Sequence, residues 1–239
     1  MSRAVIIANG EPPSEADARR WLRDEDVLIC ADGGANAALA LNLKPHHVVG
    51  DFDSLSEATV HRLQALGAQL HRYPTRKNET DLELALLLAT QLTPRPEAII
   101  VLGAFGGRLD HTLANMLLLA VPALRGWSVT LAHGTERAML IDAREAPATL
   151  VLHGTPGDTV SLIPFGGDVH GISTEGLEYP LHDEPLFIGP ARGVSNVLIS
   201  PRARVHVRRG LLLCIMRETQ ASATPLTAIE PANHQVNCT

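Results

Sequence analysis

The sequence predicts an α/β N-terminal domain with a mainly parallel sheet, followed by an all-β sandwich. Over residues 1–135 short apolar, β-branched runs alternate with helical stretches, the pattern of successive strand–helix units. Over 136–217 short runs separated by Gly, Pro and Asp replace it, with no long amphipathic period. Residues 218–239 contain Pro225, Pro231 and polar residues with little periodicity, and are expected to form a loose tail.

Each element has its own local signal. Ala4–Ala8 reads as a buried strand entering an Asn9-Gly10 loop, and Ser14 as the N-cap of a helix to about Arg23. Val27–Ala31 is a second strand. Asp32-Gly33-Gly34 follows at once, and its glycines allow close approach to a ligand before an Ala-rich helix to about Leu41. Val48–Gly50 is a third strand, Ser56–Leu66 a helix for which Ser54-Leu-Ser-Glu57 fits a capping box, and Gln69–Tyr73 a fourth strand. Thr80 and Glu83 form a capping box for the next helix, and Asp81 suits the positive end of its dipole. Ala98–Leu102 is a strand leading through Gly106-Gly107-Arg108 to a helix over Thr112–Ala120, which Asp110 can N-cap, and Trp127–Ala132 is the last strand of this half. In the second half the strand candidates are Ala138–Asp142, Thr149–Leu152, Thr159–Pro164, Leu186–Ile188, Val194–Ser200, Ala203–Val207 and Leu211–Met216.

The chemistry points to one rim. If strand geometry persists from Val48 through Asp53, Asp51 and Asp53 share a face and Phe52 points away. Like charges that close need a cation between them, and Mg²⁺ prefers carboxylate oxygens together with substrate phosphates. A turn with a helix cap is the plainer reading of the same residues. Gly106 and Gly107 can turn backbone N–H groups toward a phosphate, and Arg108 can supply a bidentate fork. Asp32, Asp51, Asp53, Asp81 and Asp110 all follow strands or open helices, and in open α/β sheets the ligand crevice lies beyond the carboxyl ends of the strands.

Composition narrows the partners. A net charge of −6 without a Lys/Arg tract argues against duplex nucleic acid, and 3% aromatic residues argue against single-strand stacking. No apolar run reaches the length of a membrane span, and the apolar part of the N-terminus is too short for a signal peptide. Cys30, Cys214 and Cys238 lack metal or redox spacing, and an odd, scattered set fits a reducing compartment. The expectation is a cytoplasmic protein.

Asp32-Gly-Gly-Ala-Asn36, Gly50-Asp-Phe-Asp-Ser54, Thr80-Asp81 with Ala85-Leu86, and Gly106-Gly-Arg-Leu-Asp-His111 with Asn115 resemble, in order and spacing, the thiamine pyrophosphokinase family. Gly176-Leu-Glu-Tyr-Pro-Leu181 and Gly193-Val-Ser-Asn-Val197 resemble its C-terminal motifs, so the match extends to about Met216. The resemblance implies transfer of the β,γ-pyrophosphoryl group of ATP to thiamine, giving thiamine diphosphate and AMP. It implies a homodimer with sites shared between chains. Asp51, Asp53 and Asp81 would hold Mg²⁺ and phosphates, with Asp32 and Asp110 completing the acidic rim. Asp32, Gly33, Gly34, Asn36, Thr80, Gly106, Gly107 and Arg108 would line the ATP and phosphate site. Tyr179, Ser195 and Asn196 would meet thiamine. Tyr179 stands where the family often carries tryptophan, and Asn78 where it is often acidic.

Three rivals come from other classes. A thiamine or nucleotide sensor without catalysis would tolerate loss of the acidic rim, yet all five aspartates are present. A metal-dependent phosphatase would use Asp51 as nucleophile. A dinucleotide oxidoreductase needs Gly-x-Gly-x-x-Gly after the first strand, which this chain lacks.

Overall fold

Four apolar tetrads and pentads set up the first sheet: Ala4–Ile7 (β1), Val27–Ala31 (β2), His47–Gly50 (β3) and Ile99–Leu102 (β5) are almost wholly buried. Strands buried on both faces are what a parallel sheet with helices on each side requires. The computed structural model describes residues 2–219 and the backbone of Ile229–Glu230. It divides into two units, Met1–Gly134 and Thr135–Thr239.

In the first unit β4 (Gln69–Arg72) and β6 (Val129–His133) complete a sheet of order β6-β5-β1-β2-β3-β4, parallel throughout. The edge strand β4 is the one with exposed and half-buried residues. The helices are α1 (Glu15–Trp21), α2 (Gly34–Ala40), α3 (Glu57–Ala65), α4 (Asp81–Gln91) and α5 (Leu109–Leu118). Strands run outward from β1 to β4, then resume on the other side of β1 with β5. The order therefore reverses at β1, where α/β sheets open a crevice at their carboxyl ends. At the amino ends, buried Arg3 grips Asp26 through Nε–Oδ1 at 2.9 Å and Nη2–Oδ2 at 2.6 Å, and donates to the Trp21 carbonyl. Among the described residues no helix is long and apolar enough to cross a membrane.

Two cap expectations are corrected. Ser56, not Ser54, caps α3 by accepting from the Thr59 N–H, whereas the Ser54 hydroxyl donates to Asp53. Asp110 does not cap α5. That helix begins at Leu109 with Arg108 in the cap position and no side-chain cap, so Asp110 lies in its first turn. Ser14 caps α1 in a reciprocal box with Asp17, as its sequence suggests.

The second unit is β-rich: β7 (Glu136–Ala143), β8 (Ala148–His153), β9 (Thr159–Pro164), β10 (Val169–Glu175), β11 (Glu184–Leu186), β12 (Asn196–Val197), β13 (Arg202–Arg217) and β14 (Ile229–Glu230). The two strands expected over 203–216 are one. Its first half pairs with β8 and β10, and its second with β7 and β9. Gly210, at φ +111°, bends the strand without interrupting its pairing, because His170 faces Arg209 and Ala143 faces Gly210. Apolar side chains of both halves, Val205 and Val207 with Leu212, Cys214 and Met216, enter one buried cluster with Leu150, Leu152, Leu162 and Ile172.

The expected strand Val194–Ser200 shrinks to Asn196–Val197, since Ser195 adopts φ +62° and breaks the extended run. The expected Leu186–Ile188 strand ends at Leu186, and β10 had no clear apolar signal. The tail expected to be loose from Glu218 is anchored where it begins. Glu218 is buried against Arg137 at 3.2 Å, and Thr219 donates its N–H to Asp158. Most of the remaining tail lies outside the described residues.

Candidate active site

The residue that follows β2, Asp32, has φ +42°, a left-handed conformation that Asp tolerates better than most residues. Its N–H bonds to the Val49 carbonyl, which locks the β2 turn to β3. The side chain is buried, and its Oδ1 has no hydrogen-bond partner in the structure. Burial raises the Asp32 pKa, against the opposing effects of the Ser54 side chain and the Gly33 N–H.

Asp51 and Asp53 do not lie on a continuing strand. β3 stops at Gly50, and Phe52 takes φ +68°, a strained value for an aromatic residue. The turn sends the Phe52 ring inward, where the Arg72 guanidinium covers it at 4.7 Å. The Asp53 N–H donates to Asp51 Oδ1 at 3.1 Å, and this bond leads the causes that hold the Asp51 pKa down. One oxygen each of Asp32, Asp51 and Asp53 lie within 4.8 Å of one another. The two carboxylates thus share a side through a turn rather than through strand alternation.

Gly50 makes the meeting possible. A Cβ there would come within 2.9 Å of Asp32 Cβ and 3.3 Å of Asp81 Cγ. Asp81 therefore borders the cluster, but its Oδ1 lies 2.9 Å from Lys77 Nζ. Burial opposes the charge on Lys77, and the ion pair with Asp81 together with the fields of Asp51 and Asp32 outweighs it, raising its pKa. Asp32, assigned from sequence to the phosphate contacts, is in the three-carboxylate group. Asp81, assigned to the metal, is held by a lysine.

The other rim residues have packing duties. A Cβ on Gly33 would overlap Asn9 Oδ1 at 2.3 Å, and one on Gly34 the Ile7 carbonyl at 2.1 Å, so both glycines let α2 sit against the end of β1. Asn36 Nδ2 donates to the Ser54 carbonyl, tying α2 to the Asp51–Ser54 turn. Thr80 Oγ1 accepts from the Glu83 N–H as the cap of α4. Gly106 and Gly107, at φ +84° and +70°, turn the loop after β5, and a Cβ on Gly106 would strike Glu11 at 2.7 Å. Arg108 and Asp110 grip each other on the surface through Nε–Oδ1 at 3.1 Å and Nη2–Oδ2 at 2.5 Å. The guanidinium holds the Asp110 carboxyl down to about 2. Asp110 is thus outside the carboxylate group that it was expected to complete.

In the second unit Tyr179 is 64% exposed, while Asn196 is buried beneath it. The Asn196 amide is turned onto neighbouring backbone. Its Nδ2 donates to the Tyr179 carbonyl at 2.7 Å, and its Oδ1 accepts from the N–H groups of Tyr179 and Val197. Ser195 hangs its N–H on Ser161 Oγ. The three residues are brought together, with Asn196 acting on the backbone of Tyr179.

This arrangement has known relatives. The family model described as "Thiamin pyrophosphokinase, catalytic domain" matches residues 18–131, and "Thiamin pyrophosphokinase, vitamin B1 binding domain" matches 147–212. The chain belongs to the thiamin pyrophosphokinase family. Thiamine pyrophosphokinase of Bacillus subtilis is 29% identical over 215 residues, covering 90% of this chain and 98% of that one. A crystal structure of the Bacillus subtilis protein superposes with a TM-score of 0.78 at 25% identity, over 92% of this chain and all of the other. Yeast thiamin pyrophosphokinase has a TM-score of 0.73 at 18% identity, over 90% of this chain and 86% of the other, which speaks for the fold alone.

The catalytic-domain match contains Asp32, Asp51, Asp53, Asp81 and Asp110, and the vitamin B1 match contains Tyr179, Ser195 and Asn196. Sequence reasoning gave no role to Lys77 or Asn9. A lysine four residues before an aspartate at a helix start was the available signal for the first. Nothing local marked Asn9, whose place against Gly33 depends on the β1–β2 pairing.

Proposed function

We propose that the chain is a thiamine diphosphokinase, transferring the pyrophosphoryl group of ATP to the hydroxyl of thiamine. The observation that carries the reading is the convergence of Asp32, Asp51 and Asp53, within the region matching the family's catalytic domain. The hydroxyl oxygen loses its proton to solvent and bonds to the β-phosphorus, the bond from that phosphorus to the α–β bridging oxygen breaks, and AMP leaves. Such transfers need positioning and charge neutralisation more than covalent help from the protein.

The donor set fits a divalent cation. Three carboxylates meet, and a buried Asp32 oxygen has no donor to satisfy it, which suits a hard cation better than an anion. Asp32, Asp51 and Asp53 would hold Mg²⁺, with Asp81 beside them. When bound, the ion neutralises charge on the phosphates. The protein orients these carboxylates through the strained Phe52 turn and the Asp32–Val49 backbone bond. Tyr179 offers thiamine an exposed aromatic face, in the β unit that we take to be a sandwich.

A homodimer with sites shared between chains belongs to the proposal. The exposed stripe Leu109, Leu113 and Leu117 on α5 supports a self-association surface. A cytoplasmic location is supported by the buried free thiols of Cys30 and Cys214, the latter pushed by burial to about 12. Phosphorus NMR of the protein with ATP, Mg²⁺ and thiamine tests the reaction. AMP with thiamine diphosphate is expected, and ADP with thiamine monophosphate refutes the pyrophosphoryl assignment.

A further inference from the structure

We propose that Lys77 is an internal counter-ion that holds Asp81 until the phosphates of ATP arrive, so that divalent cation and nucleotide bind with positive coupling. This rests on the reading of the carboxylate group as the cation and phosphate site. Lys77 Nζ lies 2.9 Å from Asp81 Oδ1, and its side chain is only 12% exposed, an enclosed place for an ammonium. Asp81 and Asp32 both border Gly50, where an added Cβ would meet Asp32 Cβ at 2.9 Å and Asp81 Cγ at 3.3 Å. The other rim cation assigned to phosphate, Arg108, is engaged with Asp110 on the surface.

The consequence follows from charge balance. Without ligands Lys77 neutralises one carboxylate, so the site attracts a divalent ion less than its aspartates alone would. A cation that draws on Asp81 must displace the ammonium. The displaced Nζ then needs another anion, and the remaining carboxylates are the ones that the cation is taking. A phosphate oxygen delivered with ATP supplies that partner. Nucleotide binding therefore frees Asp81, and the same factor by which it tightens cation binding must tighten its own binding when the cation is present. In this role Lys77 is a positioning residue for Asp81 before ATP arrives and a phosphate partner afterwards.

The test uses Mn²⁺ as a paramagnetic probe, titrated into the intact protein with and without a non-hydrolysable ATP analogue. Unmutated protein, Lys77→Met and Lys77→Arg are compared, each with its melting temperature. Without nucleotide, Lys77→Met should bind Mn²⁺ more tightly than the unmutated protein. The tightening of Mn²⁺ by the analogue, on the order of fivefold or more in the unmutated protein, should fall toward none in Lys77→Met. Lys77→Arg keeps the charge and should keep most of the coupling. Unchanged or weaker Mn²⁺ affinity in Lys77→Met, or unchanged coupling, overturns the proposal. If no protein binds Mn²⁺ under either condition, the cation reading itself fails and the proposal with it.

Discussion

Removing the Asn196 side chain should act on thiamine only through Tyr179. In the structure the amide spends its oxygen on the N–H groups of Tyr179 and Val197 and its nitrogen on the Tyr179 carbonyl, at 3.0, 2.9 and 2.7 Å. It serves residue 179 as a neighbouring strand would, pairing both backbone groups. Each such bond is worth about 1 kcal/mol net, so Asn196→Ala should lower stability by roughly 2–3 kcal/mol. The effect on thiamine is separate. If Tyr179 stacks on the thiamine ring, Tyr179→Ala removes about 0.5–1.5 kcal/mol beyond the area lost, and raises KM for thiamine more than KM for ATP. Asn196→Ala should raise the thiamine KM in the unmutated background and change it little in the Tyr179→Ala background. Steady-state kinetics on both single variants and the double variant complete the cycle. Effects that add within about 0.5 kcal/mol refute the reasoning, because they require Asn196 to touch thiamine independently of Tyr179. If Tyr179→Ala itself leaves thiamine KM unchanged, the stacking assignment fails instead.

Asp51→Asn and Asp53→Asn should each reduce turnover about a hundredfold or more, with melting temperatures nearly unchanged; near-normal rates at saturating Mg²⁺ defeat their role. Asp26→Asn leaves buried Arg3 without its counter-charge and should cost about 3–5 kcal/mol, read by denaturant unfolding. The Asp110 carboxyl should titrate near 2 by NMR and return toward the ordinary range in Arg108→Ala. Because its folded pKa is depressed, its contribution to stability is present above the unfolded value of about 3.9 and is lost as pH falls through the folded one.

The α/β half was legible because its signals are local and repeated. Val27–Ala31 coincides with β2, and the Ser14 and Thr80 caps are where their sequences put them. The meeting of Asp51 with Asp53 was also legible, though for another physical reason, since the left-handed Phe52 replaces the expected pleat. What escaped depended on contacts between distant residues. Asp32 and Asp81 are brought together by a glycine on a third element, and the Lys77 ion pair fixes which carboxylate remains available. In the β unit, Arg208-Arg209-Gly210 looks like a break between strands, but pairing on both sides carries the strand through it. Asn196 was assigned a ligand contact because its motif marks a site. Its actual partners are backbone groups that no motif describes.

The long β13 also has a consequence for how the chain emerges during synthesis. β7, β8, β9 and β10 each form a ladder with β13, and among the described residues no ladder joins any of the four to another. All six strands of the parallel sheet have been made by His133, so the first unit can fold while the second is still being translated. The four waiting strands have no common partner until Arg202–Arg217 follows. For that interval their edges are open to pairing with other chains, the usual route to aggregation. Any delay before Arg202–Arg217 becomes free to pair would lengthen the exposure.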